Sequence, residues 1–295
     1  MAKQVYKRVF GRLLLLVLVG LLPFVASVQA TVRADVGTRV VHQLDSRLMG
    51  RKMPYEVIRP AGYESGKEKF PAVYLLHGLT GHSNDWLDKS KLMEYALAYR
   101  YVIVMPEGDN GWYSDSPVAK NGKYESYIVE ELIPEVEKLY RVKRTRDSRA
   151  IAGLSMGGYG ALKFGLKYPE KFVLAGSFSG ALRAVEWDEN TFPAFRVLGE
   201  SVNSAFGAKG SPSRESNDIF KIASGVTPAQ ISSLPFLYID CGTEDGLIVQ
   251  NREFTDVLMK NKVAHEFRQL PGRHDWPYWD SQVQEFLLLS RRFLK

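Results

Sequence analysis

A serine with glycine two residues before it and two after stands at Gly153-Leu-Ser-Met-Gly157, and Gly158 follows. A serine hydroxyl is a poor nucleophile until a base takes its proton and a carboxylate orients that base. The pattern gains meaning where a strand meets a helix. There the serine sits in a strained turn that exposes its hydroxyl, and small neighbours let adjacent backbone pass close. The helix N-terminus behind it favours a developing negative charge. Ser155 is the expected nucleophile.

On the chain order serine, acid, histidine, only His265 and His274 remain as bases downstream. His265 lies in Val263-Ala-His-Glu-Phe-Arg-Gln-Leu270, a strand pattern in which a structural role is expected. His274 lies in the turn-rich Pro271-Gly-Arg-His-Asp-Trp-Pro277, where an imidazole can swing over the edge of a sheet. His274 is the expected base. For the acid, the loop after 236–240 offers Asp240, Glu244 and Asp245. Asp240, nearer the strand end, suits a buried structural group. Asp245 is favoured because an orienting acid should project from the loop, although it would also suit a helix N-cap.

Acyl chemistry further needs two backbone N–H groups aimed at the oxyanion. Met156, directly after the serine, should supply one. Leu79, in His77-Gly-Leu-Thr-Gly81 just after an early strand, should supply the other. His77 precedes the serine and reads as structural.

These residues need a frame. Apolar, β-branched runs at 72–76, 101–105, 148–152, 172–178, 236–240 and 265–270 read as strands. Helical patterns occupy about 84–98, 124–140, 157–168, 247–261 and 278–293, and 36–58 reads as a leading antiparallel pair. Alternation of this kind predicts an α/β fold with a mostly parallel sheet covered on both faces. Residues 183–235 depart from it and carry the polar tract Gly207-Ala-Lys-Gly-Ser-Pro-Ser-Arg-Glu-Ser-Asn217. They fit a lid-like insertion or a solvated excursion within one domain over 31–295.

The 295 residues are 45% hydrophobic and 24% charged, which excludes a disordered chain. The net charge is +6, yet Lys3, Lys7, Arg8 and Arg12 lie in the first thirty residues, which hold no acid. Setting them aside leaves +2 on the other 265 residues, no reason to expect a nucleic-acid partner. The apolar run Leu13–Val28, ending at Val28-Gln29-Ala30, completes a signal-peptide pattern over 1–30 with cleavage near Ala30. An uncleaved anchor is the competing reading, but the run falls short of the roughly 20 residues a span requires and contains Pro23. An exported protein, periplasmic or secreted, without a stable membrane span is expected. Cys241 is the sole cysteine, so no intrachain disulfide forms. Five scattered histidines suggest no metal site, and no phosphate loop or dinucleotide fingerprint is present. No cofactor is called for.

Four segments carry a resemblance: Leu76-His-Gly-Leu-Thr-Gly81, Pro106-Glu-Gly-Asp-Asn-Gly-Trp-Tyr-Ser-Asp-Ser-Pro117, Gly153-Leu-Ser-Met-Gly-Gly158 and His274-Asp-Trp-Pro-Tyr-Trp279. In order and over about 50–290 they resemble the putative-esterase (esterase D-like) family of α/β-hydrolases. That family includes tributyrin and feruloyl esterases, S-formylglutathione hydrolases and secreted mycolyltransferases. The resemblance implies an α/β-hydrolase fold, Ser155, Asp245 and His274 as triad, and Leu79 and Met156 as oxyanion donors. It also suggests Trp112 and Tyr113 near the substrate; with Trp276 and Tyr278 in similar loops, these aromatics read as pocket or core. Arg273 stands where the family often has glycine, and Glu107 where it often has aspartate. The expected activity is hydrolysis of a small-molecule or carbohydrate ester, short acyl or aryl-acyl, falling at acid pH as His274 protonates. Two alternatives are acyl transfer to a sugar or lipid alcohol and a non-catalytic binding module. The last should show a lost triad member, and none is lost. The sequence leaves the oligomeric state open.

Overall fold

Ala72–Leu76 is a run of five apolar residues, all buried, and its alternation sends Tyr74 and Leu76 to one layer of core and Val73 and Leu75 to the other. A strand apolar on both faces can only sit mid-sheet with helices above and below. The computed structural model describes residues 37–295 and builds such a sheet from β1 (Thr38–Ser46), β2 (Arg51–Arg59), β3 (Ala72–Leu76), β4 (Val102–Pro106), β5 (Arg149–Leu154), β6 (Leu174–Phe178), β7 (Phe236–Gly242) and β8 (His265–Leu270). The spatial order is β1-β2-β4-β3-β5-β6-β7-β8. β1 and β2 form the antiparallel lead, β2 also meets β4 antiparallel, and the other pairings are parallel. This is the α/β-hydrolase fold. The expected leader over residues 1–30 lies outside the described residues.

Chain direction across the sheet decides where chemistry can occur. From β3 the chain moves to one side for β4 and then to the other for β5, so the loops after β3 and β5 diverge and leave a crevice at their carboxyl ends. The main helices are α1 (Met156–Lys167), α2 (Arg196–Phe206), α3 (Ile248–Lys260) and α4 (Trp276–Ser290). α1 and α3 pack in the core layer that holds Tyr74, and α4 in the layer that holds Val73.

Three elements differ from their sequence patterns. The helix expected over 84–98 is two short pieces, Asp85–Asp88 and Leu92–Ala96. Between them the Ser90 hydroxyl donates to Trp86 O and accepts from Leu92 N, replacing the helical ladder. The 124–140 pattern is helical, but Tyr127–Leu132 is a π-turn that leads into Ile133–Leu139. Pro134 at the start of that last piece lacks the N–H that a continuous α-helix needs. Residues 183–235 are largely helical, with α2 followed by the short pieces Pro212–Ser216, Ile219–Ser224 and Pro228–Ile231. Ser211, Asp218 and Thr227 cap these pieces with their side chains, which is where the polar tract goes.

Candidate active site

Ser155 ends the β5-to-α1 turn at φ 53° and ψ −113°, a left-handed backbone that a side chain adopts only under constraint. The constraint is visible. Ser155 N–H donates to Phe178 O at 2.9 Å, and Ser155 O accepts from Ala181 N–H at 3.1 Å, tying the turn to the end of β6. A Cβ on Gly157 would lie 2.5 Å from Leu76 O, and one on Gly153 would lie 2.6 Å from Gly157 O. Backbone therefore crosses backbone at both flanking glycines, and no larger residue fits.

His274 Nε2 lies 2.9 Å from Ser155 Oγ, and its Nδ1 lies 2.8 Å from Asp245 Oδ2. The three residues come from the loops after β5, β7 and β8 and form one chain of contacts. Asp245 is buried, which by itself opposes its charge, but contacts with His274 and the Leu247 N–H hold its carboxyl below the usual range. The competing acid, Asp240, is fully buried, with the Tyr238 and Tyr278 hydroxyls as polar neighbours. Burial drives its pKa well up, so it stays neutral. His265, the first residue of β8, contacts Val263 O through Nδ1.

Among the described residues, no protein acceptor takes the N–H of Leu79 or of Met156. Both flank Ser155, one on the loop after β3 and the other at the first residue of α1. The β3 loop is pinned from beneath. Thr80, itself at φ 62°, donates its N–H to Asn110 Oδ1 at 2.7 Å. Buried His77 contacts Gly78 O through Nδ1 and Glu107 Oε1 through Nε2. Burial disfavours the Glu107 charge, but His77 and the N–H groups of Asp109 and Ser83 hold its pKa at about 2.

Ser155 and His274 open into a cleft of about 780 Å³. Trp112 and Trp276 line it, whereas Tyr113 does not. The Tyr113 ring is fully buried under the β3 loop, its hydroxyl donating to His77 O at 3.1 Å. Tyr278 is buried in the core. Trp112 meets Trp187 edge-on at 6.0 Å and donates from its indole to Ser201 Oγ. Trp279 stands edge-on to the His274 ring at 4.9 Å. Trp187, Phe192, Phe195 and Leu198 complete the wall and were not singled out from the sequence. The signal available was three aromatics, Trp187, Phe192 and Phe195, within nine residues of the insertion. Among the described residues no group of three or more potential metal ligands occurs, and no helix is long and apolar enough to cross a membrane.

The chain is similar to known esterases along most of its length. An acetyl esterase from Caldicellulosiruptor saccharolyticus is 29% identical over 226 residues, 73% of this chain and 81% of that protein. A diacylglycerol acyltransferase/mycolyltransferase Ag85A from Mycobacterium gordonae is 28% identical over 278 residues, 82% of this chain and 77% of that one. A solved ferulic acid esterase superposes with a TM-score of 0.74 at 28% identity, over 88% of this chain and 100% of its own. A family model described as Putative esterase matches residues 46–288, a span that holds the serine turn, the acidic loop and the histidine loop alike. The chain belongs to the Putative esterase family.

Proposed function

We propose that the protein hydrolyses carboxylic esters of short acyl or aryl-acyl groups, including esters on carbohydrate, through an acyl-Ser155 intermediate. The observation that carries this reading is the contact chain from Ser155 Oγ through His274 to buried Asp245 beside the aromatic cleft. Ser155 Oγ attacks the ester carbonyl carbon while His274 Nε2 takes the hydroxyl proton. The carbonyl oxygen, now an oxyanion, accepts from the free N–H groups of Leu79 and Met156. His274 returns the proton to the departing alcohol, then takes one from water, which attacks the acyl carbon and frees Ser155. Asp245 holds the imidazole in the required tautomer and stabilises its cation. No step calls for a cofactor.

The acyl group occupies the cleft walled by Trp112, Trp187, Trp276 and Phe195, whose flat apolar surfaces suit an aryl or compact alkyl group. The acetyl and ferulic acid esterases among its relatives support that range. The side chain of His274 is 36% exposed, so an alcohol can approach where water does. That exposure and the mycolyltransferase relative favour a second reading, transfer to a sugar or lipid alcohol, which product analysis with added acceptors distinguishes from hydrolysis. The basic and apolar leader supports export, which N-terminal sequencing of the mature protein checks. Ser155→Ala tests the main reading: p-nitrophenyl acetate turnover should fall by about 10⁴-fold or more, and near-normal turnover would refute it.

A further inference from the structure

Lys163 lies two turns into α1, completely buried, and takes no part in the chemistry just described. A buried ammonium is costly unless paired and hydrogen-bonded throughout. Here Nζ donates to Tyr113 O at 2.7 Å, Glu125 Oε2 at 2.7 Å, Asn217 Oδ1 at 3.3 Å and Ser114 Oγ. The four acceptors come from three separate parts of the chain: the loop after β4, the 124–140 helix and the insertion. Glu125 is buried as well, and its second oxygen accepts from Lys167 and Tyr168.

The Tyr113 and Ser114 acceptors matter most. Trp112 and Tyr113 are consecutive non-glycine residues at φ 52° and 50°, a strained conformation for any residue with a Cβ. It persists only while something holds it. Lys163 grips the carbonyl oxygen of Tyr113 and the hydroxyl of the next residue, Ser114. Trp112, one residue away, is the cleft wall beside Ser155. The insertion is tied to the same point, because Tyr159 of α1 donates to Asn217 O at 2.7 Å while Lys163 holds the Asn217 side chain.

We infer that Lys163 is a positioning residue for acyl selection: its ammonium fixes the strained Trp112–Tyr113 segment and the insertion against α1, and so sets the cleft wall against which a bulky acyl group must pack. The inference rests on assigning the Trp112-lined cleft to the acyl group. A small acetyl group barely needs that wall, whereas an aryl-acyl group does.

Burial lowers the Lys163 pKa and Glu125 opposes that, leaving it at about 8. Glu125 itself is disfavoured by burial but held at about 2 by Lys163 and Lys167. The charged groups around Lys163 are Glu125 on the facing helix, Asp115 on the Trp112 loop and Lys167 on α1; Asp218 caps the nearby insertion helix. Burial pushes the Tyr113 and Tyr159 hydroxyls well up, so both stay neutral. Loss of the Lys163 proton leaves two donors for four acceptors and loosens the wall.

The test measures KM and kcat for p-nitrophenyl acetate and methyl ferulate between pH 6.5 and 9.5 in the full chain, Lys163→Met and Glu125→Gln. Lys163→Met should raise KM for methyl ferulate about tenfold while changing acetate kinetics far less. Glu125→Gln removes the charge that favours the ammonium, so the wild-type rise in ferulate KM above pH 8 should move to lower pH by about one unit. If Lys163→Met does not fold, the Glu125→Gln pH profile decides alone. Equal losses on both esters in Lys163→Met, or a ferulate profile unmoved in Glu125→Gln, would overturn the positioning role. Wild-type protein inert on both esters would instead contradict the esterase reading.

Discussion

That Ser155, His274 and Asp245 would meet was legible in the sequence because their constraints are local or ordinal. The glycine pattern marks the turn, and chain order leaves few candidates for the other two positions of the contact chain. The choice between Asp240 and Asp245 follows from placement: Asp240 points into the core as a neutral acid, and Asp245 reaches His274. Lys163 was not legible, since a lysine on an amphipathic helix ordinarily faces solvent. Only the fold brings Glu125, Tyr113 and Asn217 around it. Tyr113 misled for the same reason, because sequence adjacency to Trp112 does not specify that the two rings point to different sides of the loop. Asp245→Asn keeps the size of the side chain but favours the wrong imidazole tautomer. Its kcat for p-nitrophenyl acetate should fall by about 10³–10⁴-fold with little change in KM, and a loss below tenfold would remove Asp245 from the orienting role.

The strands were readable because buried parallel strands are short continuous apolar runs, and β3, β4 and β5 are each buried at every position. The insertion was not, because its helices are short, begin at side-chain caps and derive their order from tertiary contacts. Phe206 of α2, for example, packs against Trp112 and Tyr159. The part of the insertion nearest Ser155 presents Phe192 and Phe195, which are 40% and 56% exposed. Side chains so exposed contribute little to stability, so Phe192→Ala and Phe195→Ala should change unfolding free energy by less than about 1 kcal/mol. Both line the cleft, and each should raise KM for methyl ferulate about 3- to 10-fold with a smaller effect on acetate. Equal KM values for wild type and the double variant would place the acyl group elsewhere.

The described residues are held together by one packed sheet, since the chain's lone cysteine is buried and excludes an intrachain disulfide. Its buried acids give its stability opposing responses to pH. Glu107 and Glu125 are held at about 2, below the ordinary glutamate value of 4.5, so the stability they contribute is complete above pH 4.5 and drains away as pH falls toward 2. Thermal melts should show Glu125→Gln folded but melting below wild type at pH 7, and converging with it toward pH 2. Asp240 is raised instead, so its folded form binds a proton that the unfolded chain has released, and it costs stability as pH climbs above about 4. Asp240→Asn should therefore raise Tm at pH 7 and lose that gain near pH 3.5; a lower Tm at pH 7 would contradict a neutral Asp240 in the folded protein. The most direct test of the proposed chemistry is the mass of the peptide that carries Ser155 after the folded protein reacts with a fluorophosphonate. One stoichiometric adduct on Ser155, blocking ester turnover and absent from Ser155→Ala, is expected. Full ester turnover by protein labelled at Ser155, or labelling at another serine with turnover lost, would contradict it.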